Sequence, residues 1–248
     1  MDVLKGMIKK EITLSKKQML LTIGMFAVFT ALCILVRLSM ECGNIAKNAE
    51  TRGHLMDNLW VLRYLPFVVL AFSYNPSLTM YGDIESGFLR FCKTTSYNIR
   101  SLIGAKVITL LIFETGVFVV NTVYIIILSL IGGDEGIFSS MAVLLKMTLF
   151  FCAVLLLMLF LSTVTEKKNT FEAVLITAAS LAVMAFAPFL VKKMEKYTGR
   201  TDIDVLDILR LELAPLFKYI FPLCVLLFIS GVLLNIFVGA KLLERRDG

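Results

Sequence analysis

Apolar positions in this chain do not alternate with polar ones; they run on. Six stretches of mainly apolar residues, 19–39, 60–81, 102–131, 141–163, 171–191 and 219–240, are separated by polar connections. Each contains about 20 or more residues, what an α-helix needs to cross a hydrocarbon core at roughly 1.5 Å per residue. Lipid offers no partner to a backbone N–H or C=O, so a spanning segment is a helix or a strand of a closed barrel, and continuous runs exclude the alternation of a barrel strand. The pattern therefore predicts an all-α integral membrane protein with six transmembrane helices. Residues 1–248 form one membrane domain, because the longest polar connection, the outer loop 192–218, is too short for a core of its own.

Two polar segments carry patterns of their own. In 1–17, Leu4, Met7, Ile8 and Ile12 recur at helical spacing with Lys5, Lys9 and Lys10 between them. That predicts an amphipathic N-terminal helix lying along the inner leaflet. In the loop 82–100, Ile84, Phe88 and Phe91 fall at i, i+4 and i+7, which predicts one apolar face of a short helix. Asp83 and Glu85 are expected near its start, where negative charge suits the helix dipole, and Lys93 toward its end. Residues 94–98 read as a break before a new helix that runs through Lys106 into the third span. A short surface helix, apolar on one side and charged at both ends, is suited to docking into a groove on a partner.

Composition strengthens the membrane reading: 58% of residues are hydrophobic and only 18% charged, values outside the soluble globular range. The net charge of +6 is explained by basic residues at helix ends, and no basic domain able to track phosphates is present, so no nucleic-acid partner is expected. With the N-terminus cytoplasmic, the inner segments hold Lys5, Lys9, Lys10, Lys16 and Lys17, then Arg90, Lys93, Arg100 and Lys106, then Lys167 and Lys168, and finally Lys241, Arg245 and Arg246. An even number of spans then leaves both termini in the cytoplasm. The first span is too long for a secretory signal and no small-x-small cleavage site follows it. Five cysteines without CxxC spacing support neither a disulfide framework nor a metal site.

The order of an acidic pair, a glycine, a short amphipathic helix, a polar break and a basic residue entering the next span resembles the first intracellular loop of type-2 ABC transporter permeases. Here those elements are Asp83 and Glu85, Gly87, the segment from Phe88 to Lys93, residues 94–98, and Lys106. The resemblance extends over nearly the whole chain, through the N-terminal helix, the six spans, the large outer connection before the last span and the basic tail from Lys241 to Asp247. It departs from the pattern where many family members carry a proline and this chain has Thr95-Ser96. Length and hydrophobicity are similar to bacterial exporters of amphipathic or antimicrobial peptides, including the phenol-soluble modulin type.

The resemblance implies a permease subunit in a bacterial cell membrane, dimeric with a second permease subunit that is the same or different. It forms a path for a hydrophobic or amphipathic substrate such as a peptide, toxin or drug. It also implies coupling to a separate cytoplasmic ATPase through Asp83, Ile84, Glu85, Gly87, Phe88, Arg90, Phe91 and Lys93. The chain has no G-x-x-x-x-G-K-[ST] phosphate loop, so ATP and Mg are expected on the partner and no cofactor here. The lone His54 lacks a zinc-ligand pattern and reads as a loop residue.

Ionisable groups inside spans are costly unless paired, hydrated or functional. Glu114, with Asn121 two turns later, is the sharpest case, and reads as a structural pair, a liner of the translocation path, or a proton carrier. Arg37 and Glu41, at i and i+4, are expected to pair or snorkel, as are Arg63, Lys146 and Glu172 near span ends. Two other classes stay open: a gradient-driven secondary transporter using Glu114, and a polytopic membrane enzyme, which the scarcity of His and carboxylates disfavours.

Overall fold

The structure is a computed structural model, and it describes residues 2–41, 66–67, 70–71, 73–95, 98–132, 137–165 and 221–245. Among these the chain is helical, with no strand. Among the described residues four helices are long and apolar enough to cross a membrane. They correspond to the first, third, fourth and sixth expected spans. The fifth span, the outer loop 192–218, residues 133–136, His54, Arg63, Glu172 and residues 60–65, 68–69 and 72 of the second span lie outside the described residues, as do the side chains of Arg37 and Glu41.

Helix α1 runs unbroken from Asp2–Glu41. The separate N-terminal helix expected over 1–17 is thus the first part of the same rod as the first span. No proline or glycine interrupts residues 15–19, and Thr13 and Thr22 donate back to the Lys9 and Gln18 carbonyls at 2.8 Å each, which satisfies their hydroxyls within the helix.

The expected second span also differs, because a break at Ser73–Asn75 precedes its predicted end at Tyr81. Asn75 caps the next helix: its Oδ1 accepts from the Ser77 N–H at 3.0 Å and the Ser77 hydroxyl at 2.6 Å. Pro76 occupies the first turn, where no intrahelical donor is needed. This helix, α2, spans Pro76–Glu85. It ends as Ser86 N–H reaches Gly82 O at 3.0 Å and Gly87 N–H reaches Ile84 O at 3.2 Å. Gly87 takes the left-handed conformation, φ +73°, that lets a helix stop at low cost.

Helix α3 follows over Phe88–Thr94, close to the expected segment. It closes where Thr95 turns extended and donates its hydroxyl to Phe91 O at 2.7 Å. Asn98 opens the next helix, its Oδ1 accepting from Arg100 N–H at 2.8 Å. That helix, α4, covers Ile99–Gly132 and passes through Lys106 as expected. Helix α5 spans Ile137–Val164, and α6 spans Phe221–Arg245 with a π-helical middle, Leu234–Gly239.

Two apolar clusters hold the bundle. One gathers Met7, Met80, Leu89, Cys92, Leu102, Ile103, Leu155 and Leu243 around the short helices. The other joins Cys33 of α1 and Phe67 to Tyr124 and Ile125 of α4 and Leu144 of α5. Helix α6 meets α5 at glycine: a Cβ on Gly231 would lie 3.1 Å from Leu156 Cβ. That approach lets Asn235 Nδ2 donate to the Leu156 carbonyl at 2.8 Å and to Gly231 O at 2.8 Å, an interhelical bond of the kind small residues permit in lipid.

Candidate functional site

Four charged side chains from three helices converge beside α2 and α3. Lys106 of α4 is 0% exposed, and an ammonium so placed needs full compensation. Its Nζ donates to Glu11 Oε1 at 2.8 Å and to Thr79 Oγ1 at 2.9 Å. It also lies 2.8 Å from Asp83 Oδ2, an ion-pair contact without hydrogen-bond alignment. Two of the three N–H groups of the lysine are thus used in hydrogen bonds, and Asp83 adds a charge contact. Lys10 pairs with the other Asp83 oxygen and lies 3.9 Å from Glu11 Oε1. Tyr74 donates its hydroxyl to Glu11 Oε2 at 3.2 Å, and its ring stacks on Phe113 with centroids 5.4 Å apart.

Two ammoniums and two carboxylates make a set of zero net charge. Its geometry corrects one expectation, since Asp83 and Glu85 stand in the last turn of α2 rather than at a helix start. A carboxylate there opposes the helix dipole. Lys10 and Lys106 offset that cost for Asp83, while Glu85 is exposed to solvent.

A second correction concerns the apolar face. Gly87 divides the expected helix, so Ile84 lies in the last turn of α2 while Phe88 and Phe91 belong to α3. Ile84 and Phe88 are partly buried against the cluster around Met80, and Lys10 Nζ sits 3.5 Å from the Phe88 ring centroid, a cation–π contact. Phe88 thus faces α1. Phe91 stacks on Phe88 at 6.1 Å between centroids but is 52% exposed. Arg90 is exposed and Lys93 half-buried in the last turn of α3. The outward face of the elbow formed by α2 and α3 therefore includes Glu85, Arg90 and Phe91.

Beneath it, Cys92 is fully buried. Burial pushes its thiol up from the ordinary value, with Lys10 opposing and Asp83 adding to the rise.

Glu114 and Asn121 both point into the bundle, at 2% and 0% exposure. Asn121 Nδ2 donates to Val117 O at 2.8 Å, while Glu114 Oε2 and Asn121 Oδ1 have no hydrogen-bond partner among the described residues. The two share a face of α4 two turns apart, about 10 Å along the axis. Glu114 makes no ion pair among the described residues.

Glu11, Tyr74 and Thr79 were not singled out by the sequence. The legible sign is Glu11 itself, an acid on the stripe of Leu4, Met7 and Ile8 in a lysine-rich segment. Lys106 reads as a topological charge; the fold makes it the centre of the network. Among the described residues no three His, Cys, Asp or Glu side chains gather as a metal site would require.

No family model, curated protein or solved structure matched the chain in sequence or fold.

Proposed function

We propose that this chain is the permease subunit of an ATP-driven exporter of the type-2 ABC kind, in which the α2–α3 elbow receives motion from a separate cytoplasmic ATPase. The observation that supports this is the elbow's attachment. Asp83 at the end of α2 is held by Lys10 of α1 and Lys106 of α4, so a push on the elbow reaches two candidate spanning helices through charges that cannot separate cheaply. The outward Phe91, flanked by Arg90 and Glu85, supplies an aromatic anchor with polar surroundings, the composition of an interface hot spot.

In this reading the substrate is hydrophobic or amphipathic, a second permease subunit completes the path, and both termini lie in the cytoplasm of a bacterial cell. ATP closure of the partner shifts a two-state equilibrium of the bundle by differential binding, without covalent chemistry on this chain. Co-purification of a nucleotide-hydrolysing subunit with the tagged chain tests it. Phe91→Ala should weaken that association or uncouple hydrolysis from transport, whereas Phe88→Ala should mainly cost stability. Full binding and coupling in Phe91→Ala would remove the elbow from the interface.

One observation favours a second reading. Glu114, buried with an oxygen that has no hydrogen-bond partner among the described residues, is the kind of group a proton-coupled carrier uses. Transport that collapses on addition of an uncoupler at constant ATP, and no longer does so in Glu114→Gln, would select the carrier.

A further inference from the structure

Lys5, Lys9, Ile12 and Lys16 stand at i, i+4, i+7 and i+11 on α1, one face of a helix with 3.6 residues per turn, and all four are exposed. Leu20 and Ile23 continue the same face and are 60% and 52% exposed. The buried side of α1 lies elsewhere, along Met7, Glu11, Ser15 and Thr22. Lys10 is taken by Asp83 and Phe88, whereas Lys5, Lys9 and Lys16 make no ion pair among the described residues.

Depth follows from the same sequence. Between Lys17 and Arg37 the chain carries no charge, a length of about 28 Å at 1.5 Å per residue, close to the thickness of a hydrocarbon core of about 30 Å. With that stretch in the core, Leu20 and Ile23 meet acyl chains and Lys16 stands at the level of the phosphates. Lys9 lies about 10 Å and Lys5 about 16 Å further out along the axis, against a Debye length of about 8 Å at physiological salt.

We propose that this face of α1 is a binding surface for anionic phospholipid, with acyl chains along Leu20 and Ile23, the phosphate at Lys16, and Lys9 and Lys5 attracted with decreasing strength. An acidic protein would also meet the lysines. The favoured occupant is lipid because the basic stripe runs into an apolar face on the same side of the helix, and one molecule with a charged head and two hydrocarbon tails matches both parts.

The test uses the full chain purified in detergent, with its thermal unfolding midpoint followed as phosphatidylglycerol or phosphatidylcholine is added. Wild type should be stabilised more by phosphatidylglycerol, and less so at high salt. One lysine near an anionic surface corresponds to about a fivefold change in affinity. Lys16→Gln should therefore raise the half-saturating phosphatidylglycerol concentration about fivefold, Lys9→Gln less, and Lys5→Gln least, while Lys16→Arg retains the response and separates charge from folding. Equal responses of wild type to the two lipids would overturn the proposal. So would lipid discrimination that survives in the triple Lys5, Lys9, Lys16→Gln variant, or a triple variant that loses an acidic protein partner with its lipid response unchanged.

Discussion

Lys106 and Glu11, 95 residues apart in the chain, meet at 2.8 Å between Nζ and Oε1 with both side chains fully buried. The pair fastens the start of α4 to the N-terminal part of α1, and Asp83 brings α2 into the same set. Such a set contributes little if every member is present and costs much when one is missing.

Lys106→Met should lower stability by about 3–5 kcal/mol, since Glu11 and Asp83 would then share only Lys10. Adding Glu11→Gln should recover part of the loss by restoring charge balance. Unfolding midpoints of the single and double variants check this, and additive losses would show that the two residues do not interact.

Gly87→Ala should destabilise by about 1–2 kcal/mol, because its φ of +73° disfavours any side chain while nothing lies within 4 Å of the added Cβ. Gly87→Asn should cost less, as asparagine tolerates this conformation. Equal losses for both variants would point to a packing cause instead.

Much of the fold was legible where apolar runs are long and unpunctuated. The cores of α4, α5 and α6 fall where the 102–131, 141–163 and 219–240 stretches place them. The misreadings came from residues whose effect is local and whose hydropathy is unremarked in a long window. Asn75-Pro76 caps and starts a helix inside an apolar run, and the Asn-Pro pair is a turn cue that the run concealed. Gly87 reads equally as a helix residue or a stop, until Ser86 and Gly87 hydrogen-bond back to the carbonyls of α2. The candidate site is half legible: Asp83, Phe88 and Lys106 carry a sequence signal, but which lysine faces which carboxylate depends on contacts such as Lys10 with Asp83 and Lys106 with Glu11, 73 and 95 positions apart, and no periodicity encodes that.

Cys92 should react slowly with a maleimide in the folded protein. Burial raises its thiol above the ordinary value, so the reactive thiolate is scarcer at pH 7–8 than for an exposed cysteine and labelling should climb only at more alkaline pH. The same shift means that its small contribution to stability is present below the unfolded thiol's value and fades as pH rises through the folded one. Phe88→Ala, which opens the packing above α3, should accelerate labelling; an unchanged rate would show that Phe88 does not guard the thiol.

Gly231→Val should cost about 1–3 kcal/mol by forcing α6 away from Leu156. Gly116→Ala, with nothing within 4 Å of its new Cβ, should be neutral or slightly stabilising through helix propensity. Thermal unfolding of the two variants gives the comparison, and equal shifts would remove the close approach as the cause.

The unbroken course of α1 makes it a lever with its fulcrum in the membrane. From the middle of its uncharged stretch to Glu11 is about 24 Å, so a tilt of about 10° about that point sweeps Glu11 through about 4 Å. Hydrogen bonds of 2.8 Å to Lys106 do not survive such a displacement. Any reorientation of α1 beyond a few degrees must therefore carry α4 along, or expose a charge that the fold has sealed from water.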